Sequence, residues 1–160
     1  MTSVSLKAPA KINLSLDIVG RRTDGYHLLR TIMQTVDLAD VVTIQMTSSK
    51  KIELSLSDET IPSDERNTAY KATKLFYEKT ELPFEGISIT IQKWIPSQAG
   101  MAGGSADAAA VLKGLNQLHD MPLSMEQLCE LAVKIGADVP FCIMGGAALA
   151  EGIGEVLTAL

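Results

Sequence analysis

The first part of the chain alternates between apolar and polar positions, which is the pattern of half-buried β-strands. Residues 3–19 have an extended character, with apolar side chains at every second position from Ile12 to Ile18. Pro9 separates this strand from a shorter one over residues 4–8. The chain is therefore predicted to begin with two short strands in succession.

Further strands are predicted where β-branched or alternating apolar residues recur: 28–38, 41–47, 52–56, 87–94 and 141–150. The early strands have short connections, and residues 21–25 form a turn that contains an Asp-Gly pair. Short connections of this kind predict antiparallel pairing.

Three segments have the periodicity of amphipathic helices, at about residues 67–79, 105–119 and 124–136. Asn67 is suited to cap the first helix, and Ser124 with Gln127 forms a capping box for the third. The second is predicted to begin at Ser105 or Ala106. Strands followed by helices predict an α+β fold, with a mixed or antiparallel sheet and the helices on one face.

Composition limits the classes of function. The 160 residues are 46% hydrophobic and 21% charged, which suits one soluble domain with a core of its own. The formal net charge is −5, and the basic residues are scattered. An acidic domain without a basic stripe argues against a nucleic-acid partner.

The cysteines and histidines do not have the spacing of a metal site. Cys129 and Cys142 are far apart, and neither His27 nor His119 is placed to complete a zinc site with them. We expect reduced thiols in a cytoplasmic protein. No signal peptide is recognised, and the longest apolar run, residues 139–150, is too short to cross a bilayer.

A glycine-rich segment, residues 96–110, lies between a predicted strand and a predicted helix. Gly100, Gly103 and Gly104 fall within five residues. Such a loop exposes backbone N–H groups at the positive end of a helix dipole, which favours phosphate binding. The pattern is neither a dinucleotide fingerprint nor a Walker A loop. It indicates either a different nucleotide fold or a helix start that binds no ligand.

Four polar residues are candidates for chemistry, although each has an ordinary structural explanation when considered alone. Lys11 begins an apolar strand, where a lysine is usually a solvated charge. Asp138 lies between a predicted helix end and a predicted strand, where an aspartate usually forms a turn. Tyr26 and His27 follow the Asp-Gly turn and can be a core aromatic residue and a surface histidine. The order of these residues along the chain carries more information than any one of them.

That order resembles the GHMP kinase superfamily. The motifs are Pro-Ala-Lys-Ile-Asn (9–13), Asp-Gly-Tyr-His (24–27), the glycine-rich loop and Gly-Ala-Asp-Val-Pro (136–140), and the resemblance covers residues 7–160. It implies a fold of the ribosomal protein S5 domain 2 type and use of ATP with Mg²⁺. The first two motifs are similar to the branch that phosphorylates the 2-hydroxyl of a cytidine diphosphate-linked methylerythritol, a small-molecule substrate of isoprenoid biosynthesis by the non-mevalonate route.

The resemblance also implies residue roles. Lys11 and Asp138 correspond to the catalytic pair, and Asn13, Tyr26 and His27 correspond to contacts with the substrate. The implied ATP-binding residues are Asn67, Lys93, Pro96, Ser97, Gln98, Ala99, Gly100, Met101, Ala102, Gly103, Gly104, Ser105 and Ala106. No residue is implied as a metal ligand.

The sequence departs from the family pattern in three ways. Met101 stands where the family usually has Leu, which is a mild change. Ala106 stands where a Ser hydroxyl is usual, which leaves a degenerate nucleotide-binding homologue as an alternative. Residues 1–160 correspond to the N-terminal, ATP-binding domain, with the C-terminal domain absent, so we expect an exposed cleft face that allows a homodimer. Another GHMP kinase, or an S5-like module that binds RNA or protein, remains a further alternative.

Overall fold

The structure is a computed structural model that describes residues 2–160. Its strands are β1 (Ser3–Arg21), β2 (His27–Met46), β3 (Ile52–Leu56), β4 (Ile87–Gln92), β5 (Ala147–Gly152) and β6 (Val156–Ala159). Its helices are α1 (Thr68–Thr80), α2 (Gly103–Leu118), α3 (Met125–Val133) and α4 (Val139–Met144). The predicted α+β class is confirmed.

One mixed sheet contains the six strands, in the order β3-β4-β2-β5-β6, with β1 paired to β2. Most neighbours are antiparallel, as predicted, but β3 runs parallel to β4. The parallel pair is possible because α1 lies between these strands in sequence and returns the chain across the sheet.

The first hairpin is longer and more continuous than the sequence indicated. Pro9 does not divide β1, and the two strands predicted over residues 28–38 and 41–47 form the single strand β2. Instead of chain breaks, the pairing has irregularities, one of them between Pro9 and Lys11. A bulge bends a strand without ending it, and it re-aims the side chains beside it. Lys11 lies at this bend.

The end of the chain contains the largest error of the sequence interpretation. Residues 141–150 were predicted as one strand, but the structure has α4 over Val139–Met144 and only then β5. Pro140 favours a helix start here, because proline is well tolerated in a first helical turn. Asp138 is therefore the N-cap residue of a helix, where it was expected before a strand.

The helices cover one face of the sheet. Along β4, Ile87, Ile89 and Ile91 are fully buried, whereas the residues between them point to the other, more open face. Gly114 allows α2 to lie close to the sheet, since a Cβ atom there would be 2.5 Å from the Cδ1 of Ile44. Among residues 2–160, no helix is long and apolar enough to cross a membrane.

Candidate functional site

The glycine-rich loop and the first turn of α2 form one wall of a cleft of about 430 Å³. α2 begins at Gly103, two residues before the predicted start, and its N-cap Ala102 has no side-chain cap. Gln98, Gly100 and Ala102 have positive φ angles of 58°, 73° and 58°. This alternation turns neighbouring N–H groups toward a common point, as in anion-binding nests.

The amide N–H groups of residues 98–105 have no hydrogen-bond acceptor within the described part of the chain. The first N–H groups of any helix lack an intrahelical partner, and here no capping side chain replaces it. A row of unpaired donors at the positive end of a sixteen-residue helix is suited to bind a polyanion. The loop geometry therefore fits the triphosphate that the sequence resemblance implies.

The opposite wall of this cleft is formed by residues at the start of α1. Asn67 caps α1 by accepting a hydrogen bond from the N–H of Ala69 at 2.8 Å, as predicted. The Thr68 hydroxyl donates to the carbonyl oxygen of Gly104 at 2.7 Å and so fixes the spacing of the two helix starts. Ile61 and Pro62 supply an apolar edge.

Lys93 lines the same cleft, but its ammonium group is already bound. Its Nζ donates to Oδ2 of Asp40 at 2.5 Å and to Oδ2 of Asp107 at 2.8 Å, and all three side chains are buried. Oδ1 of Asp40 also accepts from the backbone N–H groups of Trp94 and Ile95. We call Asp40, Lys93 and Asp107 the buried acid cluster. It joins β2 to both ends of the glycine-rich loop.

The pKa values within the buried acid cluster move in opposite directions. Burial raises the pKa of Asp107 to about 8, and its contact with Asp40 acts in the same direction. Burial opposes ionisation of Asp40 as well, but hydrogen bonds from Asp107, Ile95, Lys93 and Trp94 hold its pKa below the ordinary value. Asp40 is therefore the ionised partner of Lys93.

A second cleft of about 370 Å³ lies beside the first, and Ser105 lines both. It contains Lys11, Asn13 and Asp138, which the sequence placed together only by resemblance. Nζ of Lys11 donates to Oδ1 of Asn13 at 2.7 Å and lies 3.7 Å from Oδ2 of Asp138. Lys11 is buried, whereas about a third of the Asp138 side chain is exposed to the cleft.

Lys11 is held in place by one backbone contact and by one side-chain contact through Asn13. Its backbone N–H donates to the carbonyl oxygen of Met101 at 3.1 Å, so β1 is tied directly to the glycine-rich loop. Asn13 in turn donates to the hydroxyl of Thr31 at 2.8 Å. The sequence interpretation missed Thr31, which is buried beside this group.

Some residues of the predicted site lie elsewhere. Tyr26 and His27 are exposed at the far end of the first hairpin, opposite Arg21, and line neither cleft. The eight residue steps along β2 from His27 to Thr35, the partner of Lys11, correspond to about 26 Å of strand. Ala106 is buried, with its N–H bonded to the oxygen of Ala102, and Met101 packs against the core.

The sequence interpretation also missed Asp40 and Asp107. A signal for Asp107 was present, because an aspartate followed by three alanines on the apolar part of a helix is unusual. Asp40 lies far from it in sequence, between two apolar stretches of β2, and no local pattern connects them.

Residues 2–160 contain no group of three or more His, Cys, Asp or Glu side chains that could hold a metal ion. Mg²⁺ in nucleotide sites is usually held largely by phosphate oxygens and water.

The chain is similar to curated proteins named 4-diphosphocytidyl-2-C-methyl-D-erythritol kinase. It is 56% identical to that of Caldicellulosiruptor saccharolyticus over 155 residues, which are 97% of this chain and 53% of the relative. It is 52% identical to that of Alkaliphilus metalliredigens over 158 residues, or 99% of this chain and 54% of the relative. The chain spans about half the length of the curated relatives it matches.

Solved structures agree in fold. A crystal structure of 4-(cytidine 5'-diphospho)-2C-methyl-D-erythritol kinase superposes with a TM-score of 0.83 at 40% identity, over 98% of this chain and 55% of that one. The mevalonate kinase of Methanococcus jannaschii gives a TM-score of 0.77 at 16% identity, over 99% and 56% of the two chains. The second likeness shows the shared fold alone.

A family model, the GHMP kinases N terminal domain, matches residues 67–146, which is half of this chain. The match begins at the cap of α1 and includes the glycine-rich loop, α2 and Asp138. These are the segments that build the first cleft and one side of the second. The chain belongs to the GHMP kinases.

Proposed function

We propose that the protein containing this chain uses ATP to phosphorylate the 2-hydroxyl of 4-diphosphocytidyl-2-C-methyl-D-erythritol, a small-molecule substrate. The observation that carries the proposal is the adjacency of the two clefts, which Ser105 joins. One cleft offers unpaired backbone donors for a triphosphate, and the other holds Lys11 and Asp138. The names of the relatives supply the identity of the acceptor.

The residues have complementary roles in such a transfer. ATP would supply the phosphoryl group, and Mg²⁺ would neutralise part of the charge on its phosphates. The acceptor hydroxyl forms a new oxygen–phosphorus bond, the bond between the γ-phosphorus and its bridging oxygen breaks, and ADP leaves. Asp138 accepts the hydroxyl proton, and Lys11, 3.7 Å from its carboxylate, attracts the transferring oxygens. The backbone N–H groups of the loop stabilise the negative charge on the transferring phosphoryl oxygens, and they are already oriented to do so before the reaction.

Lys93 has a positioning role in this scheme. Because both acidic partners hold its ammonium group, Lys93 fixes the loop and does not reach into the cleft as a free cation. The remaining residues of the predicted ATP site contribute mainly backbone groups. The Ala106 side chain is buried and does not line the first cleft.

Tyr26 and His27 are proposed to bind the cytidine end of the substrate. They lie on a hairpin whose other exposed side chains include Leu14, Leu16 and Ile18, so it offers an apolar surface to a long ligand. The replacement His27→Ala should raise the KM for the acceptor and leave the KM for ATP unchanged. An unchanged KM for the acceptor would show that the hairpin tip is not part of the acceptor site.

The proposal is tested in a protein of the relatives' full length that carries this sequence. ADP release and the ³¹P spectrum of the product are followed with ATP, Mg²⁺ and one acceptor at a time. We expect turnover of 4-diphosphocytidyl-2-C-methyl-D-erythritol to its 2-phosphate. Turnover of mevalonate or homoserine in its place would move the protein to another activity of the family.

A further inference from the structure

The buried acid cluster contains one positive and two potentially negative groups. Lys93 contributes one ammonium, and Asp40 and Asp107 contribute two carboxyl groups, all within hydrogen-bond reach of Lys93 Nζ. Oδ1 of Asp107 is buried and has no hydrogen-bond partner among residues 2–160. A buried carboxylate with an unpaired oxygen beside a second carboxylate is unfavourable, and a proton on Asp107 removes both the buried charge and the like-charge repulsion.

We propose that Asp107 is protonated at neutral pH and that its proton prevents the floor of the glycine-rich cleft from repelling the phosphates of a bound nucleotide. Asp107 lies in the second turn of α2 and lines the same cleft as the unpaired amides of Gly103 and Gly104. A negative charge at this point would cancel part of the positive end of the helix. The inference rests on the proposed function, because the phosphates concerned are those of that nucleotide.

The geometry makes Asp107, and not Asp40, the protonated partner. Asp40 accepts two backbone N–H bonds through Oδ1 in addition to its bond from Lys93, so its ionised form is well satisfied. Within the described residues, Asp107 accepts only one hydrogen bond, the one from Lys93. Its raised pKa of about 8, caused first by burial and then by Asp40, agrees with this assignment.

The other charged groups around the cluster keep their charge near neutral pH. Asp58, from the segment after β3, interacts with Lys93, and hydrogen bonds from Thr60 hold its pKa below the ordinary value. Arg66, at the start of α1, lines the cleft as a permanent cation. Cys142, from α4, stays neutral because burial raises its pKa to about 12. Loss of the Asp107 proton is thus the change of charge expected between pH 7 and 9.

Nucleotide binding should consequently be linked to a proton. Bound phosphates favour the protonated carboxyl, so binding above pH 8 takes up as much as one proton. The association constant should be constant near pH 7 and fall by up to about tenfold per pH unit above pH 8.

The test is calorimetric titration of ADP at pH 7, 8 and 9, each in two buffers of different ionisation enthalpy. We expect proton uptake above pH 8 and an association up to about fivefold weaker at pH 9 than at pH 8. Equal affinity at all three pH values without proton exchange would overturn the inference and leave the proposed function standing. No binding of ADP at any pH would overturn both.

A variant of Asp107 provides a second test of the proposal. Asp107→Asn keeps the shape of the side chain without a titrating group, so ADP should bind with one affinity from pH 7 to 9 and without proton uptake. Asp120→Asn, at the exposed end of the same helical segment, is the matched control and should keep the wild-type pH profile. A wild-type profile in Asp107→Asn would contradict the assignment. If Asp107→Asn does not fold, the proton uptake measured with the wild-type protein decides whether the proposal holds.

Discussion

Nζ of Lys11 lies 3.7 Å from Oδ2 of Asp138, although the two residues come from opposite ends of the chain. Lys11 is buried at an irregular point of β1, and Asp138 is the N-cap residue of α4. Neither element alone would place a charged group here. Their meeting beside Ser105 is what connects a phosphate-binding cleft with a place for an acceptor.

Removing either member of this pair should lower kcat far more than it raises the KM for ATP. Lys11→Ala and Asp138→Asn both alter charge that develops during transfer, and neither residue lines the first cleft. We expect a loss of two powers of ten or more in kcat, which corresponds to roughly 3 kcal/mol. Steady-state kinetics in a protein of the relatives' full length measures it.

Two exposed residues serve as controls for these changes of charge. Lys7→Ala removes a lysine from the same strand, and Asp37→Asn neutralises an aspartate on β2, both far from hydrogen-bond contact with the pair. Both variants should keep kcat within about twofold. A near-normal kcat in Lys11→Ala or Asp138→Asn would remove that residue from the catalytic pair.

A side chain at Gly103 should weaken nucleotide binding. An added Cβ would lie 3.2 Å from both the Cγ2 of Ile95 and the Nζ of Lys93, so these side chains or the first turn of α2 must give by a few tenths of an ångström. We expect Gly103→Ala to raise the dissociation constant of ATP roughly tenfold, or about 1.4 kcal/mol. Gly136→Ala, where the added atom meets Val139 at 3.6 Å, is the control. Equal affinities for the two variants would show that the loop tolerates displacement.

Asp40 should be important for stability as well as for the loop. Asp40→Ala leaves Lys93 with a single acidic partner and removes the acceptor of the Trp94 and Ile95 N–H groups. Breaking a buried pair of this kind costs about 3–5 kcal/mol in the free energy of unfolding. Urea denaturation measures it. Glu85→Ala breaks the exposed pair with Lys50 and should cost about 1 kcal/mol or less.

The stability of the fold should depend on pH through Asp107. Its pKa is about 8 in the folded protein and about 4 in an unfolded chain, so the folded state binds more protons between these values. The free energy of unfolding therefore falls as pH rises from 4 to 8. Urea denaturation from pH 5 to 8 should give a flatter profile for Asp107→Asn than for the wild-type protein. Parallel profiles would show that Asp107 does not titrate in this range.

The sequence predicted those parts of the fold that have local signals. The cap at Asn67 and the capping box at Ser124 and Gln127 are confirmed, because capping depends on residues next to each other in the chain. The strand predicted over residues 141–150 is wrong, since a continuous apolar run fits a buried strand and a buried helix equally well. Pro140 lies in the first turn of the helix that forms here instead.

The site was predictable only in part. The glycine-rich loop has its own sequence pattern, but the contact between Lys11 and Asp138 depends on the complete sheet and was available only by resemblance. Asp40, Lys93 and Asp107 come from three separate parts of the chain, and the raised pKa of Asp107 depends on burial that no local pattern reports. Tertiary placement decides such features.

The most direct test of the central claim is a titration of ATP into the ¹⁵N-labelled chain, followed by amide chemical shifts. The account predicts that the largest changes fall on residues 98–105, whose N–H groups have no partner within the described chain. Smaller changes should follow at Lys11, which is tied to Met101. Changes confined to the separate groove lined by Tyr70 and Tyr77, or no changes at all, would contradict it.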